Sequence, residues 1–298
     1  MPGAAGTWAR ESGRALLGRS YGLSKRVALA RLARRPTPPT VVFSMGKTGS
    51  TAIARAVQDA TGQPVFQVFR LDPTRLREAE QRYRARRAAH RGASVEPGPR
   101  QPFPGAYHLW ESEHLVRHPP TPAGPWTVIT TVREPVAQAV SAFFHAARQS
   151  GALDGNPGIE DLTETFVAEG WIRPPLRWFE REFRPAVGVD ALAAPFDPAL
   201  GNAIVETPAV RLLLLRQENL DVAPAALARF LGRPDPVAVP RRNDGETGRF
   251  AGVYRRFRDS ARLPAALLDE AYDSDYARHF YAPAEISRFR ERWSRPAS

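Results

Sequence analysis

The chain has 298 residues, 43% of them hydrophobic, which is enough to bury the core of one large domain and excludes a wholly disordered protein. No stretch approaches the roughly 20 uninterrupted apolar residues of a membrane-spanning helix, and the absence of cysteine excludes disulfide frameworks and thiolate metal sites, so a cytoplasmic protein is expected. The net charge of +11 indicates an anionic partner, which by charge alone could be nucleic acid, a membrane surface or a small polyanion.

Residues 1–36 form a basic N-terminal arm, in which eight arginines and lysines stand against the single acid Glu11. Two interpretations of this arm remain open. It is either a helix that packs on the domain or frays from it, or a peripheral contact with anionic lipid or a polyanionic acceptor. The prolines that follow cannot continue a helix, so a separate domain is predicted over residues 37–298.

Short apolar runs alternate with helical patterns through this domain. The runs that predict strands are residues 40–44, 64–69, 106–110, 126–132 and 210–215. Strands that alternate with helices favour a mainly parallel sheet covered on both faces. The predicted fold class is therefore α/β, a P-loop-like three-layer fold with a mainly parallel central sheet flanked by helices.

A glycine-containing loop, residues 46–51, joins the first predicted strand to a helical pattern. The backbone N–H groups and the dipole of the following helix favour an anion at this point. Gly46 and Gly49 allow close approach of the backbone, Lys47 can reach a phosphate oxygen, and two hydroxyls add donors. Lys47 is one of two lysines among 42 basic residues, which indicates that a compact ammonium is required there. The alternative is an ordinary strand-to-helix turn.

The loop does not match that of nucleotide triphosphatases. Their motif requires a glycine five residues before the Gly-Lys pair, where this chain has Val41. They also need an acid at the end of a second strand to hold magnesium, and the best candidate strand, residues 126–132, is followed by Arg133. Transfer of a sulfuryl group, which carries less charge than a phosphoryl group, is favoured.

A second anion site is predicted where this strand ends. Arg133 leaves the carboxyl edge of the sheet, Pro135 opens a helix, and Ser141 follows one to two turns later. An arginine fork and a hydroxyl can bind one phosphate from two sides. A surface ion pair for Arg133 and a serine bonded back to its own helix is the alternative interpretation.

A strand followed by Gly-Lys-x-Gly-Ser-Thr, and then a strand ending in Arg-Glu-Pro with serine eight residues after the arginine, resembles the sulfotransferases that use 3′-phosphoadenosine 5′-phosphosulfate (PAPS). The likeness is nearest to bacterial sulfotransferases associated with capsular polysaccharide synthesis, and more remote to uronyl and heparan sulfate 2-O-sulfotransferases. It covers about residues 38–293, including the tail segment 272–286.

The resemblance implies PAPS as co-substrate without a metal, and a hydroxyl-bearing acceptor, expected to be a saccharide, in place of nucleic acid. Lys47 would be catalytic as well as nucleotide-binding. The implied nucleotide-binding residues are Gly46, Lys47, Thr48, Gly49, Ser50 and Thr51 for the 5′-phosphosulfate, and Arg133, Ser141 and the late basic residue Arg242 for the 3′-phosphate.

The general base is predicted to be His108, on the predicted strand that precedes the Arg133 strand. The resembling families have a His-x-His pair there, whereas position 110 of this chain is Trp110, and an earlier histidine-rich strand is replaced by Gln67 and Phe69. Glu111 is therefore the alternative base, and His108 could be structural.

The main alternative to an enzyme is a P-loop-like domain that binds nucleotide or polyanion without turnover. A kinase is a further alternative, which predicts magnesium-dependent turnover of ATP. We expect the helical region 150–205 to shape the acceptor pocket.

Overall fold

A computed structural model describes residues 39–91, 107–117, 125–240 and 250–294. Its centre is a five-stranded sheet of order β2-β1-β3-β5-β4. The strands are β1 Thr40–Phe43, β2 Phe66–Val68, β3 Trp126–Val132, β4 Asn202–Glu206 and β5 Val210–Arg216. Strands β2, β1, β3 and β5 run parallel, and only the edge strand β4 pairs antiparallel.

Helices occupy most of the remaining described chain. They are α1 Ser50–Thr61, α2 Pro73–Arg91, α3 Tyr107–Arg117, α4 Pro135–Ser150, α5 Ile159–Ala168, α6 Arg173–Trp178, α7 Arg184–Val187, α8 Ala223–Leu231, α9 Ala251–Ser260, α10 Ala265–Tyr272, α11 Asp275–Phe280 and α12 Pro283–Ser294. A π-helix, Phe179–Phe183, links α6 to α7, and a 3-10 turn, Gln217–Asn219, follows β5.

Neighbouring residues of each central strand point to opposite faces of the sheet, and other elements cover both faces. On one face Phe43, Val128 and Leu212 pack with aromatic side chains of the π-helix and of α11. On the other face the alternate residues pack against α1 and α8. The prediction of an α/β fold, with a mainly parallel sheet flanked by helices, is confirmed.

A third cluster of buried side chains lies among helices. It joins α4, α5, α9, α10 and α12 around Phe143, Phe166 and Phe257. The tail segment that the sequence singled out is divided between two clusters, because Tyr272 and Ala277 belong to this one, whereas Tyr276, Phe280 and Tyr281 pack with the sheet.

One sequence expectation was wrong. Residues 106–110 were predicted as a strand, but Tyr107–Arg117 is a helix whose buried residues Leu109, Ser112 and Leu115 recur at helical spacing.

The region 150–205, expected to be helical, contains α5, α6, the π-helix and α7, and only its last four residues belong to strand β4, which begins at Asn202. Its side chains are only partly buried, so it lacks the apolar run by which the other strands were found.

The basic arm, residues 1–36, lies outside the described residues. In the described part of the chain, none of the helices combines the length and the apolar character that crossing a bilayer demands.

A buried arginine anchors the tail to the sheet. Arg216, the last residue of β5, is 1% exposed and donates to both carboxylate oxygens of Glu285, at 3.0 and 2.5 Å. It also donates to the carbonyl of Pro198 at 2.8 Å and lies 4.4 Å from the ring centre of Tyr281. Removal of the Glu285 carboxylate would leave the buried Arg216 guanidinium without the negative charge that offsets its lost hydration.

We therefore expect Glu285→Ala to lower the free energy of unfolding by about 3 kcal/mol, as measured by urea denaturation. The matched control is Asp59→Ala, because Asp59 pairs with Arg55 on the surface, where both side chains are more than half exposed. That control should cost less than about 1 kcal/mol. Equal losses in the two variants would show that the Arg216 anchor contributes no more than a surface pair.

Candidate functional site

The loop between β1 and α1 has an unusual backbone. Lys47 lies in the left-handed region at φ 69°, which costs a residue with a Cβ about 1–2 kcal/mol, and Gly49 is left-handed at φ 84°. A Cβ at Gly46 would meet no atom within 4 Å. Strain of this kind is kept only where surrounding contacts determine the backbone, and such contacts are present here.

Buried hydroxyl groups support the loop on its core side. The Thr48 hydroxyl donates to the carbonyl of Met45 at 2.8 Å and lies 2.7 Å from the Thr131 hydroxyl, which in turn lies 3.0 Å from that of Ser44. Thr48 is fully buried. Its side chain therefore supports the loop from the core, and only its backbone can face a ligand.

Two side chains of the β3–α4 region donate hydrogen bonds to carbonyl groups of the loop. The amide Nε2 of Gln138 donates to the carbonyl of Gly46 at 2.7 Å, and Nη1 of Arg133 donates to the carbonyl of Lys47 at 3.1 Å. Because C=O and the next N–H of a trans peptide point in opposite directions, the N–H groups of Lys47 and Thr48 point away from these side chains. These N–H groups therefore lie on the other side of the loop backbone from Gln138 and Arg133.

Arg133 is fixed by the tail. The Tyr276 hydroxyl accepts from the backbone N–H of Arg133 at 3.1 Å and donates to its carbonyl at 2.7 Å. No carboxylate among the described residues forms an ion pair with the Arg133 guanidinium. The surface ion pair that was the alternative interpretation is therefore not found in this part of the chain.

Glu134 caps α4 and is itself held by the tail. Its carboxylate accepts from the N–H groups of Val136 and Ala137, both at 2.8 Å, and from the Tyr272 hydroxyl at 2.7 Å. Burial raises the pKa of Glu134, while these hydrogen bonds act in the opposite direction. An acid used in this way does not face the loop as a metal ligand.

Ser141 lies on α4 one turn beyond Gln138, on the same face of the helix. It is partly buried, and its hydroxyl makes no hydrogen bond to the described residues. The serine is therefore not bonded back to its own helix. Since Gln138 contacts the loop at Gly46, the structure brings Ser141 to the loop side of α4.

His108 lies on α3 and not on a strand, but it does reach the carboxyl edge of the sheet. Its ring centre is 4.7 Å from that of Phe69, one residue beyond β2. Burial, and to a smaller extent the positive charges of Arg70 and His145, lower the pKa of His108 to about 4. The imidazole is therefore neutral at pH 7 and can accept a proton.

Glu111, the alternative base, is engaged in the edge of the sheet. It is 4% exposed, and its Oε2 accepts from the backbone N–H of Gln67 at 2.6 Å. Gln67 in turn places its Nε2 at 3.1 Å from the Ser50 hydroxyl and at 2.8 Å from the Thr51 hydroxyl. Glu111 thus holds the strand from which Gln67 reaches the loop.

Arg133 contacts the loop at the carboxyl ends of β1 and β3, and His108 lies beyond the carboxyl end of the neighbouring strand β2. This is the edge at which open α/β sheets bind ligands. Ser141 is placed only by its position on α4, one turn beyond Gln138. Arg242 lies outside the described residues. Sequence reasoning missed Gln138, which contacts the loop. Its signal was helical spacing, because positions 138 and 141 share one face of α4.

One comparison with known proteins gave a match. Residues 152–282, 131 of the 298, match a family whose description is "Putative capsular polysaccharide synthesis protein". The matched segment contains the three tail tyrosines but neither the loop nor Arg133. No curated protein and no solved structure matches the chain. The family match supports a relation to capsular polysaccharide synthesis and specifies no reaction.

The lowered pKa of His108 predicts a pH-dependent stability. Its folded value of about 4 lies below the unfolded value of about 6.5, so the unfolded chain binds this proton first as the pH falls. Titration of His108 therefore leaves the free energy of unfolding unchanged well above pH 6.5, and lowers it as the pH falls toward 4. Between pH 7.5 and 4.5, the wild type should lose about 2–3 kcal/mol more of its unfolding free energy than His108→Gln.

Denaturant titrations of both proteins across this pH range measure the difference. The lowered pKa of His279 cancels in the comparison, because both proteins retain that residue. Parallel pH profiles for the two proteins would mean that His108 is solvated and not held neutral by burial.

Proposed function

We propose that this protein transfers the sulfuryl group of PAPS to a hydroxyl of a saccharide acceptor, with adenosine 3′,5′-bisphosphate as the second product. The observation that carries the proposal is the bond from Arg133 to the carbonyl of Lys47. It joins the end of β3 to the phosphate-type loop, so that one bound molecule with two anionic groups can contact both. PAPS is such a molecule, whereas AMP and ADP carry anionic groups only at the 5′ position.

The charges around the loop favour sulfuryl over phosphoryl transfer. Lys47 and Arg133 bring two cations to the loop, and the acid nearest to them in sequence, Glu134, is buried as the cap of α4. A kinase would require a carboxylate that faces the phosphates through magnesium. Donor side chains and backbone N–H groups suit a transition state whose charge is spread over sulfuryl oxygens.

In the proposed reaction, the acceptor oxygen forms a bond to sulfur while the bond from sulfur to the bridging phosphate oxygen breaks. The electron pair of that bond stays on the phosphate, where Lys47 compensates the growing charge. The acceptor proton passes to neutral His108. The negative charge of bound phosphosulfate would oppose the lowering of the His108 pKa, which makes the imidazole a better base in the loaded site.

The acceptor class rests on the family match, which covers α5 to α11 and is described by capsular polysaccharide synthesis. Tyr272 and Tyr276 of this region bond to Glu134 and Arg133, and Arg133 contacts the loop. A saccharide hydroxyl is therefore the acceptor we propose.

Nucleotide selectivity tests the two-anion arrangement. At 100 times its dissociation constant, adenosine 3′,5′-bisphosphate should stabilise the fold by about 2.7 kcal/mol, measured as a thermal shift. AMP and ADP should give much smaller shifts at equal concentration. Arg133→Ala should reduce the shift by the bisphosphate toward that by AMP, while Arg55→Ala, on the exposed face of α1, should leave it unchanged. Equal shifts by bisphosphate and AMP in the wild type would contradict a 3′-phosphate site.

Turnover tests the chemistry. We expect Lys47→Ala to abolish the release of bisphosphate from PAPS in the presence of capsular-type saccharides, and Lys47→Arg to restore little, since a guanidinium fork differs in shape from an ammonium. Lys47→Gly is the control for the backbone, because glycine adopts a positive φ without strain and should leave the fold at least as stable. Near-complete activity in Lys47→Arg would contradict the role given to the lysine. Selective binding without any turnover would favour a non-catalytic binding protein.

A further inference from the structure

The hydroxyl oxygens of Ser50 and Thr51, the first two residues of α1, each already accept a hydrogen bond. Nε2 of Gln67 lies 3.1 Å from Oγ of Ser50 and 2.8 Å from Oγ1 of Thr51. The two hydrogens of one amide nitrogen can serve both oxygens. A hydroxyl that accepts in this way keeps its own hydrogen for another partner.

The usual partners for those hydrogens already accept other bonds. In a helix, a serine or threonine hydroxyl donates to the carbonyl four residues earlier, which for Ser50 and Thr51 means Gly46 and Lys47. The carbonyl of Gly46 accepts from Gln138, and that of Lys47 accepts from Arg133. A carbonyl oxygen can accept a second bond, yet in the described part of the chain neither hydroxyl donates to these carbonyls or to any other acceptor, so both hydrogens are available to a ligand.

Gln67 is itself held in place. It lies in the edge strand β2, and its outward N–H is bound by the buried carboxylate of Glu111 at 2.6 Å. The strand therefore cannot slide without loss of a charge-assisted bond. A chain of contacts leads from Glu111 through Gln67 to the two hydroxyls.

We propose that Gln67 is a positioning residue, which orients the Ser50 and Thr51 hydroxyls as donors to the 5′-phosphosulfate. This inference rests on the proposed function and adds a residue to the same site. In the same arrangement, Glu111 acts through Gln67 and is not a base. The ligand chemistry is that of a tetrahedral oxyanion which accepts two O–H donors besides the backbone.

Gln67→Glu tests the orientation with almost no change in shape. The new carboxylate can only accept, so both hydroxyls must turn toward it and are lost to the ligand. At pH 7.5, calorimetric titration with adenosine 3′,5′-bisphosphate should show binding weakened by about 100-fold or more, as expected for two lost donors to a charged group. Gln67→Met, which removes the amide but adds no acceptor, should weaken binding by about tenfold.

Gln217→Glu is the matched control for charge. Its side chain lies near Gly49, with Cγ 3.5 Å from the place that a Cβ on Gly49 would take, and makes no hydrogen bond to either hydroxyl, so it adds the same charge close to the loop. We expect a loss well below that of Gln67→Glu. Equal losses in the two variants would overturn the proposal, because the effect would then come from charge alone.

A double-mutant cycle separates orientation from all other effects. In a Ser50→Ala, Thr51→Val background, the further change Gln67→Glu should cost at least tenfold less than it does in the wild type. An undiminished cost would overturn the proposal even though the wild type binds the bisphosphate selectively and the proposed function stands. If the wild type binds neither the bisphosphate nor PAPS, the proposed function fails and this inference fails with it. Circular dichroism melts confirm that each variant is folded.

Discussion

The turn at Arg133 and Glu134 is the constraint on which the candidate site depends. Tyr276 bonds both backbone groups of Arg133, and Tyr272 bonds the carboxylate of Glu134. The backbone N–H of Glu134 donates to Glu218, which accepts from Tyr281 in turn. From this fixed turn, the arginine reaches the loop and the glutamate begins α4. A loop with a strained lysine keeps its shape because its neighbours are held from a distant part of the chain.

Burial of Glu134 also decides the electrostatics of the sheet edge. A carboxylate at the end of β3 could have faced the loop, where it would repel an anion or bind a metal. Instead its two oxygens accept from the first turn of α4 and from Tyr272. The cap therefore withdraws the negative charge from the site, while Lys47 and Arg133 leave their positive charges beside it. The same residue therefore caps the helix and keeps its carboxylate away from the loop.

The sequence predicted the features that depend on local patterns. Parallel strands β1, β3 and β5 are continuous apolar runs, and the glycine loop precedes a clear helix, so both could be found. Residues 106–110 were assigned to a strand because five residues do not distinguish alternation from helical spacing. The contacts of Gln67 with Thr51 and of Gln138 with Gly46 join residues 16 and 92 positions apart, and no local pattern carries such information.

The family match covers the residues that support the Arg133 turn and does not cover the loop. The matched segment, residues 152–282, ends directly after Tyr281, and it contains Glu218 and all three tyrosines that hold the Arg133 turn. It does not contain the loop or the turn itself. The tail tyrosines are buried and bonded to backbone or carboxylate groups of the site. A substitution of any of them would therefore disturb the position of Arg133 or Glu134. The matched segment therefore contains residues that support the turn at Arg133 and Glu134, as well as the region proposed for the acceptor.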